Sequence, residues 1–72
     1  MREAAAFEIC AEAGELARDG AFSAEHKHRY ALAIRCALAS DAAMTKTYLG
    51  YLDLAILAGE IVCAHQRSHA PI

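Results

Sequence analysis

The sequence predicts an all-α protein, a small three-helix bundle made of a helical hairpin and an N-terminal helix. Three observations predict it. The only proline is Pro71, so no proline interrupts a helix before the end of the sequence. β-branched residues are few, and the strong helix formers Ala, Leu, Glu and Arg dominate, with 18 Ala among 72 residues. Apolar residues also recur at helical spacing in three stretches divided by turn signals.

The first helix is expected over about 2–18, with Asp19-Gly20 as its stop. Ser23 is the expected N-cap of a second helix over about 24–39. Ser40-Asp41, or Thr45 and Thr47, can cap a third over about 43–66, which leaves 67–72 as a flexible tail. The junction near Asp41-Ala-Ala-Met is itself helix-compatible, so one bent helix from Ala24 to Gln66 is the competing reading.

At 100° per residue, Glu8, Glu12, Glu15 and Asp19 form a narrow stripe on the first helix. Ala6, Ile9, Cys10, Ala13, Leu16 and Ala17 cover its other side, the pattern of an amphipathic surface helix. The second helix carries two apolar faces, one with Tyr30, Ile34 and Leu38 and one with Leu32, Cys36 and Ala39. Two faces suggest two packing partners and a central place in the bundle. The third helix is apolar almost all round, broken only by Asp53, Glu60 and Arg67 at intervals of seven. Such a helix wants to be buried on every side. A bundle this small cannot surround one of its own helices, so the surplus face calls for another chain, most simply a second copy. Ala55, Gly59 and Cys63 form a small-residue seam that would admit a helix closely.

Composition sets further bounds. A 72-residue, 7.7 kDa chain holds one domain. At about that size a chain buries only ~60% of its unfolded surface, which makes the core marginal. Seven basic and nine acidic side chains give a net charge of −2, against binding nucleic acid by general phosphate attraction. The His-Lys-His-Arg run at 26–29 is the only basic concentration, and a third helix nearly without polar side chains is ill-suited to reading bases. Its carboxylates Asp53 and Glu60 also argue against a membrane span. The first residues lack the basic start and apolar run of a signal peptide, and three cysteines make no disulfide framework. The expectation is a soluble, cytoplasmic protein.

Chemistry finds little support. Cys10, Cys36 and Cys63 include no CxxC pair and read as buried small apolar residues. No cofactor is expected. Ser23, Ser40 and Ser68 lack a nucleophile elbow, no glycine-rich loop cradles a phosphate, and the acidic stripe has no histidine beside it, so the chain is not read as an enzyme. His26, His28, His65 and His69 are a different matter. Antiparallel second and third helices would gather all four at one end, and His65/His69 have the i, i+4 spacing of paired metal ligands. A metal-binding or metal-responsive module is therefore the alternative, with a nucleic-acid-binding regulator behind it.

The stretch from Tyr30 through Leu38-Ala-Ser-Asp-Ala to Tyr48-Leu-Gly-Tyr-Leu resembles the junction between two tetratricopeptide repeats. It spans less than half of the chain and lacks the repeat's proline. Stacked repeats need about three copies and only one fits here, so membership does not follow.

The reading that best joins these observations is a non-catalytic protein-binding module: a regulator, adaptor, co-chaperone or inhibitor that acts through helical surfaces, as a homodimer. Tyr48, Tyr51, Leu54, Leu57 and Ile61 are its expected partner or dimer interface. Glu8, Glu12, Glu15 and Asp19 are its expected acidic docking face.

Overall fold

A computed structural model of the chain describes residues 2–68, which form three helices: α1 (Arg2–Arg18), α2 (Ala24–Ala37) and α3 (Ala42–Ser68). Local chemistry sets each boundary. Gly20 adopts φ +73°, where a side chain would be strained. From there its N–H bonds the Ala17 carbonyl at 3.1 Å while Ala21 N–H bonds the Leu16 carbonyl at 2.9 Å, a Schellman ending for α1. Ser23 opens α2 with a capping box: His26 N–H donates to Ser23 Oγ, and Ser23 N–H donates to His26 Nδ1, both at 3.3 Å. Asp41 opens α3, its carboxylate accepting from Met44 N–H at 3.0 Å. Thr45 Oγ1 then reaches the carbonyls of Leu38 and Asp41, both at 2.9 Å, and ties the end of α2 to the start of α3.

The helices run up, down and up, within overall extents of 50 × 18 × 16 Å. Cys10 Sγ donates to the Tyr48 carbonyl at 3.6 Å, Gly14 lies against Ala55, and Gly20 lies against Cys63. Residue numbers therefore rise together along α1 and α3, which are parallel. Lys27 pairs with Asp53 while Arg35 lies beside Thr45 and Leu49, so α2 is antiparallel to α3. The core is Ala6, Cys10, Ala13 and Ala17 from α1, Ile34 and Leu38 from α2 and its end, and Leu52 and Ile56 from α3. Ile34 and Leu52 are the largest fully buried side chains.

The closest approach is between α1 and α3, where small residues bring the backbones together. A Cβ placed on Gly59 would stand 2.5 Å from the Gly14 carbonyl oxygen, 2.7 Å from Ala17 Cβ and 2.9 Å from Arg18 nitrogen. No larger residue fits there without moving a helix.

The chain breaks over 38–41, so the second and third helices are separate, as expected, and not one bent helix. Other expectations change. α2 stops at Ala37, short of 39, because Leu38 and Asp41 turn the chain. α3 extends through Ser68, so the first two residues of the expected tail, 67–72, are helical and 69–72 lie outside the described residues. α2 is not the central helix: α1 and α3 share the largest interface, and the Leu32 face of α2 is exposed. The Ala55–Gly59–Cys63 seam is closed by α1 of the same chain, not left for another. Cys36 is exposed and Cys63 half-buried, so only Cys10 fits the description of a buried apolar cysteine.

Candidate functional site

The most distinctive surface is the outer face of α3. One arc of this helix, centred on Leu52, Ile56 and Gly59, faces inward. The opposite arc leaves Tyr51 52%, Leu54 63%, Leu57 53% and Ile61 60% exposed. Burying such side chains contributes about 1.5–3 kcal/mol each, so four of them in water are unusual in so small a domain. The reason lies in the numbers of elements available. α1 and α2 occupy one side of α3, and among the described residues there is no fourth helix to take the other.

This face continues onto α1. Phe7 is 67% exposed and lines a shallow groove with Ala11, Gly14, Ala55, Ala58 and Val62. Phe7 was not among the expected interface residues. Its sequence signal is a large ring just off the Ala6–Cys10–Ala13–Ala17 stripe, where the helix turns toward solvent. Leu32, 52% exposed, is a second such residue, on the outer face of α2.

Tyr48 behaves differently from its expected companions. It is half-buried against the core, and its ring meets Tyr51 edge-on with centroids 5.4 Å apart. Tyr48 thus anchors the inner edge of the face while Tyr51 projects from it.

The acidic face is formed as a surface. Glu8, Glu12, Glu15 and Asp19 are all exposed, and among the described residues none of them forms an ion pair. Glu12 stands close enough to Tyr30 to matter: burial first, and the Glu12 carboxylate second, push the Tyr30 hydroxyl above its ordinary value. Burial likewise pushes the Cys10 thiol up.

The histidines take separate positions. His26 is half-buried in the capping box, with Nδ1 2.9 Å from Ser23 Oγ and its ring 6.0 Å from that of Phe22. His28 is exposed on α2. His65 is exposed on α3, twelve residues and about 18 Å of helix beyond the Asp53 that pairs with Lys27. His69 lies outside the described residues. Among the described residues no three His, Cys, Asp or Glu side chains converge on a possible metal position.

α3 is also, among the described residues, a helix long and apolar enough to cross a membrane. An 18-residue window of it has mean hydropathy 1.4 with 17% buried. Length and composition alone give that result; a mostly buried core helix of a soluble protein passes the same test, but this window is largely exposed. Asp53 and Glu60 lie within the helix, and Asp53 is held by Lys27 at 3.4 Å.

No protein-family model, no curated protein and no solved structure matches this chain.

Proposed function

We propose that the protein is a small, soluble, non-catalytic binding module that associates through the outer face of α3. The exposure of Tyr51, Leu54, Leu57 and Ile61 on one side of a single helix carries this reading. Large apolar side chains grouped on one helical face serve helix-in-groove and helix-on-helix association. The acidic stripe of Glu8, Glu12, Glu15 and Asp19 is the second working surface, suited to a basic partner and salt-sensitive in its binding. A regulator, adaptor or inhibitor works through such surfaces without chemistry of its own.

The test is the solution mass by light scattering, for the native chain and for Leu57→Glu. Native protein should run above 7.7 kDa, and Leu57→Glu should return it to 7.7 kDa with helicity unchanged, since Leu57 is outside the core. A mass that ignores the substitution removes the α3 face from consideration. Charge reversal at Glu8 and Glu12 tests the second surface, and should weaken capture of a basic partner while leaving the fold intact.

A further inference from the structure

We infer that the start of α2 is a pH-sensitive latch: a neutral His26 side chain fastens the turn that leads into the helix, and protonation of the ring unfastens it. A capping box ordinarily carries Glu or Gln at its third helical position, and either one accepts from the N-cap N–H at neutral pH. Here that position is His26. Its Nδ1 accepts from Ser23 N–H at 3.3 Å and lies 2.9 Å from Ser23 Oγ, while Ser23 Oγ accepts from His26 N–H at 3.3 Å. A ring nitrogen that accepts from a backbone N–H carries no proton of its own, so in this arrangement the ring is neutral with its hydrogen on Nε2. Adding a proton to Nδ1 turns the acceptor into a donor. Ser23 N–H then loses its partner, and a positive charge stands in the first turn of α2, where the helix dipole opposes it.

The latch sits on the least firmly held helix. The interface of α2 with α3 is the smallest of the three, and among the 14 residues of α2 only Ile34 is buried. A helix of that length depends on its caps and its packing rather than on propensity. His26 also stands one turn after Phe22 and one turn before Tyr30, whose rings stack with centroids 6.2 Å apart and pack against the core. Unfastening the first turn therefore parts Phe22 from Tyr30 and opens this side of the core to water. The neighbouring charges do not compensate. On α2, Glu25 is held by Arg29 at 3.0 Å, Lys27 is held by Asp53 of α3 at 3.4 Å, and His28, two residues on, faces another side of the helix. Tyr30 stays neutral where a histidine titrates, since burial and Glu12 of α1 raise its hydroxyl. Glu60 and Arg67 of α3, opposite in charge, border the cleft beside Phe22. Glu12 and Glu60 are exposed, so water screens their attraction for a charged imidazole, whereas the Ser23 contact is direct.

Urea unfolding of the native chain and of His26→Gln, between about pH 8 and about pH 5 where an imidazole changes charge, tests the latch. Gln keeps a cap acceptor at every pH. On acidification the native chain should lose roughly fivefold in its ratio of folded to unfolded protein, the combined effect of one capping contact and one dipole interaction. His26→Gln should lose almost none of it, and His28→Gln should keep the whole loss. A loss that persists in His26→Gln, a native stability that is flat over this range, or one that rises in acid each overturns the latch. The Ser23 amide gives a second measurement that needs no variant. As pH falls its proton NMR signal should move upfield in step with the His26 ring, and its exchange with solvent should quicken. An amide signal that ignores the ring titration overturns the latch as well.

Discussion

The two sides of α3 invert the usual relation between side-chain size and burial. Its inner side meets α1 through Ala55 and Gly59, against Gly14 and Ala17, so closely that a single added methyl group would clash with backbone. Its outer side holds Tyr51, Leu54, Leu57 and Ile61, each more than half exposed. Small residues gain their energy from many close backbone contacts, which a larger residue would push apart. Large residues gain theirs by leaving water, which on the outer side has not yet happened. The intramolecular core is thus thin, and much of the large apolar surface of α3 faces outward.

The most severe way to break this contrast is Gly59→Leu. Its side chain meets the Gly14 carbonyl and the Arg18 nitrogen rather than flexible atoms, so α1 must leave α3. A loss of roughly 3 kcal/mol or more is expected, close to all that a domain of this size holds. Urea unfolding with circular dichroism should show no folded baseline. Retention of the native transition would mean that α1 packs elsewhere.

A paired truncation sharpens the contrast. Leu52 is 1% exposed and Leu54 63%, two residues apart on one helix. Leu52→Ala should cost about 2–5 kcal/mol, whereas Leu54→Ala should change the monomer's stability by less than about 0.5 kcal/mol. Denaturant midpoints measured in the Leu57→Glu background, which disrupts the proposed association face, keep the two terms separate. Equal losses would show the outer face to be part of the fold itself.

The smallest effect concerns proton linkage. Cys10 lies in the α1–α3 interface, and its thiol is raised above the ordinary 9.0 by burial. The folded state therefore keeps that proton to higher pH than the unfolded chain does. Its contribution is complete below about pH 9 and is lost as pH rises through the raised folded value. Tyr30, raised above 10.0, adds a second loss at higher pH in the same direction. Stability measured between neutral pH and about pH 11 should fall, and Cys10→Ala should remove the earlier part of the decline.

Much of the fold was legible in the residues. Gly20 marked the end of α1 because only a glycine takes that left-handed turn without strain, and Ser23 marked the start of α2 because its hydroxyl replaces a missing helical partner. The stripe of Glu8, Glu12, Glu15 and Asp19 was equally plain, since a repeat of three and four fixes one side of a helix whatever surrounds it. Less legible was the partner of each apolar face. Tyr30–Ile34–Leu38 and Leu32–Cys36 looked alike in sequence, yet one face is packed and the other open. Tyr48 and Tyr51 are three residues apart and identical in chemistry, yet they divide between core edge and surface.

Residue order alone set the stop of α1, the cap of α2, and the presence of more apolar helical surface than three helices hide. These are local matters, set by backbone sterics, hydrogen-bond satisfaction and the 3.6-residue period. Only the tertiary structure decided that α1 lies parallel to α3 and fills the Ala55–Gly59–Cys63 seam. That choice depends on which pair of surfaces approaches most closely. Side-chain volumes summed across two distant segments set this distance, and no local pattern contains that sum. By filling the small-residue seam from within, α1 leaves Tyr51, Leu54, Leu57 and Ile61 facing outward.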